Sequence, residues 1–470
     1  MISPYAVILT ILGYFAVVLL LSRLATRHGV DFFALRSHRW WVVTLGMVSA
    51  CMSGVSFVSV PGMVAGSGMG YLQMCIGFFL GYLVIAFVLA PLYFRMGSVS
   101  IYGWLEKRFG LTAHRTGAWL FFGSQLLRAS MRLFLLCITQ QLMIFDPLGL
   151  PFALNAVVTV GVLLAYTWKG GVRSVVAADI LRTVCMVSAI ALTVFFIARA
   201  LPGSLPDTLR DSGMTRVFFF DDVNSPNYFW KQLLGGFFIV IAMTGMDQEM
   251  MQRTLTCRSL HDAQKQLVLS SALQIVVIAG FLVLGVLLQT YAGLSGETAT
   301  GDALFPSVAT GGSLPIVVGV LFVLGLSAAS YGAGGSALTA LTTAFTVDIL
   351  GRPASRRGIH LAMAVVMAGV VLLFRSAWDR SVLDAIYTVA GYTYGPLLGL
   401  FAFGIFTRRR LPESWLLPAA LLTAPVLCWL LSHYSVDLFG GYRFGYELLP
   451  LNGALTFLLL RALSFRPGVR

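Results

Sequence analysis

Two pairs of ionisable residues sit inside otherwise apolar stretches, and they are where chemistry would be sought first. Asp179 and Arg182 fall within residues 170–184, and Arg128 and Arg132 within residues 124–135. Charged side chains at bilayer depth are costly, so they usually mark a path or a coupling site. On a helix Asp179 and Arg182 share a face and can neutralise each other, which also permits a purely structural ion pair. Arg128 and Arg132 lie one turn apart on one face. A guanidinium facing a cavity could grip a solute carboxylate through two parallel hydrogen bonds, while one of the two, Arg132 sooner than Arg128, is expected to pair structurally. The amides of Gln73, Gln140 and Gln141 could hydrogen-bond a sugar or join helices, and joining helices is the commoner role. No His-Glu-x-x-His and no Ser, His and Asp nucleophile set is evident, so an enzyme is not expected. The six cysteines show no metal-ligand spacing and read as small apolar residues, so neither a metal centre nor another cofactor is expected.

The elements that position these residues are membrane spans. The chain has 470 residues, 58% of them hydrophobic and 11% charged, which one soluble core could not hide. Runs near the roughly 20 residues needed to cross a hydrocarbon core recur thirteen times, at about 4–23, 42–68, 71–95, 116–144, 151–168, 172–200, 229–250, 264–291, 313–350, 357–375, 381–406, 414–432 and 446–464. The fold class is therefore an all-α polytopic membrane protein. Arginine and lysine collect in alternate connections, among them Arg36, Arg39, Lys107, Arg108, Lys169, Arg173, Arg356, Arg357 and Arg408 to Arg410. Cytoplasmic loops carry that excess, which is expected to put the amino terminus outside and the carboxyl terminus in the cytoplasm. The same rule explains the net charge of +13 without nucleic acid. The first span reads as a retained helix rather than a cleaved signal, because its arginines follow it. The bilayer and a small solute are the expected partners, and oligomeric state is not legible.

The second span carries Ser53, Gly54, Ser56, Ser59, Pro61 and Gly62 at mid-membrane. A helix of that composition is expected to break, and freed backbone is tolerated in a membrane only where it lines a cavity or is buried in protein. Broken helices build substrate and ion sites in secondary transporters; a proline-kinked packing helix is the plainer alternative. The seventh span offers Gly235, Gly236, Thr244 and Gly245 before Asp247, consistent with a second break. The cluster from Asp247 to Arg253 is expected at the cytoplasmic end of that span, in an inner gate.

In order and spacing, these fragments resemble the sodium:solute symporter family, in particular its bacterial thirteen-span branch, which implies a bacterial inner membrane. The resemblance rests on Asp31-Phe32-Phe33, Ser53 through Gly62, Ser100 through Gly110, Gly170-Gly171-Val172, Asp247 through Arg253, Ser336 through Asp348 and Tyr392 through Gly399. It implies a LeuT-like core of two inverted five-helix repeats, 40–200 and 228–406, with an extra amino-terminal helix at 1–30 and extra carboxyl-terminal helices at 413–470. A solute would then bind near the midplane against Ser56, Phe57, Ser59, Gly62, Gln73, Arg128 and Thr244. Sialic-acid transporters of the family place an arginine at what looks like the Arg128 position, which makes a carboxylated solute the expectation.

The family's main sodium site maps to carbonyls at Val55, Val58 and Ala329 and to two hydroxyl side chains, at whose positions this chain has Gly332 and Ala333. Sodium needs hard oxygen ligands, and two are gone. Where the family has Gln three residues beyond the Asp of the sixth span, this chain has Arg182, a cation that does not deprotonate. The resulting expectation is a solute importer whose sodium coupling is lost or weakened, with Arg182 as a tethered replacement for the ion. A conventional sodium-coupled symporter and a non-transporting solute sensor are the alternatives.

Overall fold

The computed structural model describes residues 3–27, 39–96, 101–351, 356–377 and 381–465, without the side chains of 19, 21–27, 96, 166, 169–181, 356 and 377. The motif Asp31-Phe32-Phe33 lies outside the described residues. Their secondary structure is helical apart from one isolated bridge between Arg410 and Phe465.

After α1 (Pro4–Arg27), the second span divides into α2 (Trp40–Cys51) and α3 (Gly54–Gly62), bent by 57°. Met52 and Ser53 are both extended, with ψ of 106° and 171°. The break therefore comes well before Pro61, which rides inside α3 close to its end. A short α4 (Val64–Ser67) leads to the third span, where α5 (Tyr71–Val84) passes through a π turn into α6 (Ala90–Met96). Next come α7 (Gly103–Phe109) and the long α8 (Leu111–Gln140).

The sequence divides the next stretch into two spans joined near Gly170. The structure instead runs one helix, α9 (Phe152–Ala200), through its 49 residues. At about 1.5 Å per residue that is roughly 74 Å, more than twice a hydrocarbon core of about 30 Å. The stretch holds no proline, and a glycine costs a helix only about 1 kcal/mol, so Gly170 and Gly171 do not force a break.

Beyond α10 (Leu205–Asp211), α11 (Phe229–Val240) continues through a π turn at Ile241–Gly245 and meets α12 (Gln248–Leu255) at 69°. Helix α13 (Leu260–Ser295), a tight turn at Gly301–Ala303 and α14 (Leu304–Thr310) precede α15 (Ile316–Thr343). Then follow α16 (Arg356–Ala377), α17 (Val382–Thr393) bent by 46° into α18 (Gly395–Phe406), α19 (Leu416–His433), α20 (Ser435–Leu438) and α21 (Leu448–Leu463).

Among the described residues seven helices are long and apolar enough to cross a membrane, and the three bent pairs each pass the same test as one span. Shorter apolar helices at Pro4–Val18, Phe152–Ala165 and Leu448–Leu463 stand where the first, fifth and thirteenth spans are expected. Leu9, Phe87, Val276, Val365 and Leu373 project from the surface as large exposed hydrophobics, which lipid rather than water would accommodate. Helices α5 and α11 pack almost backbone to backbone. A Cβ at Gly77 would collide with the Leu233 carbonyl, and one at Gly236 with that of Met74. Such approach depends on small residues.

Candidate functional site

The break between α2 and α3 opens onto a central cavity of about 100 Å³. From the second span it is lined by Cys51, Ser53, Val55 and Ser56, from α8 by Arg128 and Arg132, and from the seventh by Met243 and Thr244. Tyr82 and Gln274 join it and hydrogen-bond each other at 2.9 Å. This combination of apolar walls with a few converging polar groups is what a small-solute site requires.

The two arginines divide their roles in the reverse of the expected order. Arg128 is 4% exposed and forms an ion pair with the fully buried Asp247, while also donating to Gln125 Oε1. Its guanidinium lies 5.6 Å from the Tyr394 ring centroid. Arg132 carries no hydrogen bond or ion pair among the described residues, and its Nε is buried without a partner. Arg132 is therefore the uncommitted cation of the cavity. Helical spacing puts both arginines on one face, and only tertiary structure says which of them meets an acid.

Asp247 is a structural hub of the seventh span. It occupies the break between α11 and α12, where Oδ1 accepts from the amides of Glu249 at 2.9 Å and Met250 at 3.2 Å and so caps α12. Its other oxygen takes Arg128. The π turn at Ile241–Gly245 ends the first half of the span just before Asp247. Glu249 and Arg253 pair with each other at 3.5 Å.

Arg182 is 2% exposed. Its Nε donates to Ser49 Oγ in α2 at 2.8 Å. A Cβ built at Gly332 would lie 2.9 Å from its Nη1 and 3.6 Å from its Cζ. The guanidinium thus bridges α9, α2 and α15 beside the helix break. Asp179 lies on the same helix, but its side chain is outside the described residues. Ala329 and Ala333 are buried on α15, and Val58 is buried in α3. One hydroxyl of α15 does face the break, since a Cβ at Gly54 would collide with Ser330 Oγ.

The remaining expected residues separate. Ser56 and Thr244 line the central cavity. Phe57 is fully buried and packs instead against Phe281, Phe305 and Phe322, with centroids 5.9, 5.2 and 5.5 Å away. Gln73 spends its amide on backbone, donating to the carbonyls of Gly70 and Asn227 and accepting from Phe219 N at 3.0 Å. Gln140 and Gln141 likewise join helices, through Tyr331 with Thr159 and through Asn155 with Leu150. Gly62 lines a second, wider cavity of about 710 Å³, and Ser59, one turn earlier in α3, is fully buried.

Tyr387 forms part of both cavity walls. Its hydroxyl meets that of Tyr71 at 2.6 Å, and its ring packs near Phe78 and Tyr446. One layer of aromatic side chains separates the two spaces. On the opposite side, Tyr93 donates to Gly245 O at 3.0 Å, Tyr102 to Met246 O at 2.9 Å, and the Ile101 amide to Gln248 Oε1 at 2.8 Å. That end is closed by backbone as well as side chains. Neither Tyr71 nor Tyr387 stands out in the sequence, because a tyrosine in an apolar span is ordinary.

Comparisons with known proteins bear on the family and the fold. The profile of the sodium:solute symporter family matches residues 32–411. A sodium/sialic acid symporter of Aliivibrio fischeri is 24% identical over 444 residues, 88% of this chain and 85% of its own length. One from Proteus mirabilis is 22% identical over 396 residues, 78% of this chain and 77% of its own. The human sodium/iodide cotransporter is 24% identical over 386 residues, and the match spans 59% of that longer protein. Among solved structures, a substrate-bound, outward-open Na+-coupled sialic acid symporter superposes with a TM-score of 0.79 at 16% identity, covering 98% of this chain and 99% of that one. Inward-facing Mhp1 gives 0.56 at 14% identity, covering 92% of both. At those identities the likeness establishes a LeuT-like, all-helical fold.

Proposed function

The chain belongs to the sodium:solute symporter family, and on that premise we propose that it imports a small polar or carboxylated solute across a bacterial inner membrane by alternating access, with Arg182 in place of the main sodium ion. As a family member it is a multi-pass membrane transport protein and not an enzyme.

The observation that carries this reading is the Arg182 guanidinium held between Ser49 and Gly332. A positive charge fixed there can neutralise acid and organise the break without an ion arriving from solution. The solute class follows from Arg132, the cavity's uncommitted cation. A desolvated guanidinium favours an anion, and hydrogen bonds to charged partners are the strong ones. Two relatives are named for sialic acid, itself a carboxylate. The positive-inside rule puts the wide cavity outside, so that solute would enter past Tyr71 and Tyr387.

Conventional sodium symport is the second reading, supported by the relatives' names and by Ser330 facing the break. Gly332→Ser separates the two. It restores a hydroxyl that sodium would use, but its Cβ enters the space of Arg182. Proteoliposome uptake would be followed with the carboxylated solute that most stabilises the protein against heat, sialic acid being tried first. A fall in flux is expected; retained flux with stronger sodium dependence would overturn the Arg182 reading, and accumulation by neither protein would favour a sensor.

A further inference from the structure

We propose that Asp302, Ser59 and Ser381 form a monovalent-cation site at the floor of the wide cavity, apart from the helix break that Arg182 occupies. Asp302 lies on the tight turn before α14, and its Oδ2 accepts from Val382 N at 2.9 Å, at the start of α17. That contact fixes the carboxyl and turns Oδ1 inward, where it is buried with no hydrogen-bond partner. Ser59 of α3 is 0% exposed, and its Oγ has no partner; the same holds for the buried Oγ of Ser381, just before α17.

These three unsatisfied oxygens belong together. The end of α3 packs on the turn that carries Asp302, where a Cβ at Gly62 would meet the Gly301 carbonyl, and Ser381 precedes the Val382 amide that Asp302 accepts from. Both hydroxyls thus lie beside the carboxyl and hold its pKa down as donors do, short of well-formed hydrogen bonds. Buried polar atoms without partners are uncommon in folded proteins and call for an explanation such as an ion or water. Here they comprise one carboxylate and two neutral hydroxyls, which are hard oxygen donors with one formal negative charge. That set suits sodium; calcium would call for more oxygens and more carboxylate charge. Asp384, in the first turn of α17, adds negative potential and is itself held by the Tyr446 hydroxyl. An entry route exists, because Gly62, Gly301, Ser381 and Asp384 all line the wide cavity.

The ligands come from three separate elements: the far end of the broken helix, the turn before α14, and α17, whose Tyr387 divides the two cavities. A bound cation would tie them together, so occupancy would favour the state in which that aromatic layer is closed. The site does not depend on the Arg182 reading.

The test is thermal unfolding of the purified full-length protein in sodium chloride against equal choline chloride and equal potassium chloride. A ligand that binds only the folded state raises its stability, so a sodium-specific rise is expected in the wild type. Asp302→Asn should abolish the rise, since Asn can still accept from Val382 N but carries no charge. Ser59→Ala should shift the sodium titration to higher concentration while leaving the Val382 contact intact, and it carries the test alone if Asp302→Asn does not fold. An undiminished rise in both variants would place the ion elsewhere and overturn the proposal. So would no rise in the wild type at any sodium concentration, which would leave ordered water to fill the site. Neither result touches the Gly332→Ser flux measurement, so the two readings fail separately.

Discussion

The Arg182 guanidinium fills the space where a side chain at Gly332 would begin, with Nη1 2.9 Å from a Cβ built there. The two positions are therefore coupled, and a change at either should be felt by the other. Arg182→Gln keeps a donor near Ser49 but removes the charge, and flux should be lost. Arg182→Lys keeps the charge without the planar fork, and part of the flux should survive. Solute uptake into proteoliposomes checks both, and full activity in Arg182→Gln would end the tethered-cation account.

The exchange of roles between the cavity arginines gives opposite phenotypes four residues apart. Arg128→Gln leaves Asp247 buried without its cation, at a cost of about 3–5 kcal/mol, and a large fall in unfolding temperature is expected. Arg132→Gln removes a side chain with no partner, so stability should change by less than about 1 kcal/mol. Its affinity for a carboxylated solute should fall by one charge-assisted hydrogen bond, about 1.5–3 kcal/mol. Thermal unfolding with and without solute measures both, and a reversed pattern would restore Arg128 as the anion's contact.

Cys51 lines the central cavity behind Tyr387. In a chain retaining it as the sole cysteine, a membrane-impermeant thiol reagent should label it slowly. Tyr387→Ala removes both the ring and the hydroxyl contact to Tyr71, and labelling from the wide-cavity side should accelerate severalfold. Equal rates would mean that the aromatic layer is not the barrier.

Acid should compete with sodium at Asp302. Burial is the main cause that raises the pKa of this carboxyl, and the Val382 amide and the Ser59 and Ser381 hydroxyls partly offset it. The group is thus charged in the folded protein only above an elevated pKa, and its buried charge costs stability there. In choline, stability should rise as pH falls through that folded value towards the unfolded one. The extra stability conferred by sodium should shrink over the same interval, because the neutral acid is a poor ligand. Unfolding temperatures across a pH series in both salts, compared with Asp302→Asn, would show whether this carboxyl is responsible.

Much of the helical architecture was legible because apolar run length is a local property. The breaks in the second and seventh spans were legible from glycine and hydroxyl content, and the direction of Arg182 from the coincident absence of hydroxyls at Gly332 and Ala333. The π turn that precedes Asp247 was not visible, because it has no simple sequence signature. Partner choice was also hidden, since Arg128 and Arg132 are equivalent by helical spacing. Asp302, Ser59 and Ser381 are far apart in the chain and converge only when α3, the turn before α14 and α17 are packed. The unbroken α9 was missed because paired glycines permit a turn without compelling one.

The glycine seam between α5 and α11 sets a limit on how this molecule can change shape. With Gly77 and Gly236 each against an opposing carbonyl, no layer of side chains remains there to shear, so sliding one helix along the other would drive backbone into backbone. The pair can act as an axle but not as a rail. Helices farther from that axle must then sweep the larger arcs, and the ends of α3 and α17, where Ser59 and Ser381 lie, would be brought together or parted by a rotation that leaves the seam itself almost unmoved.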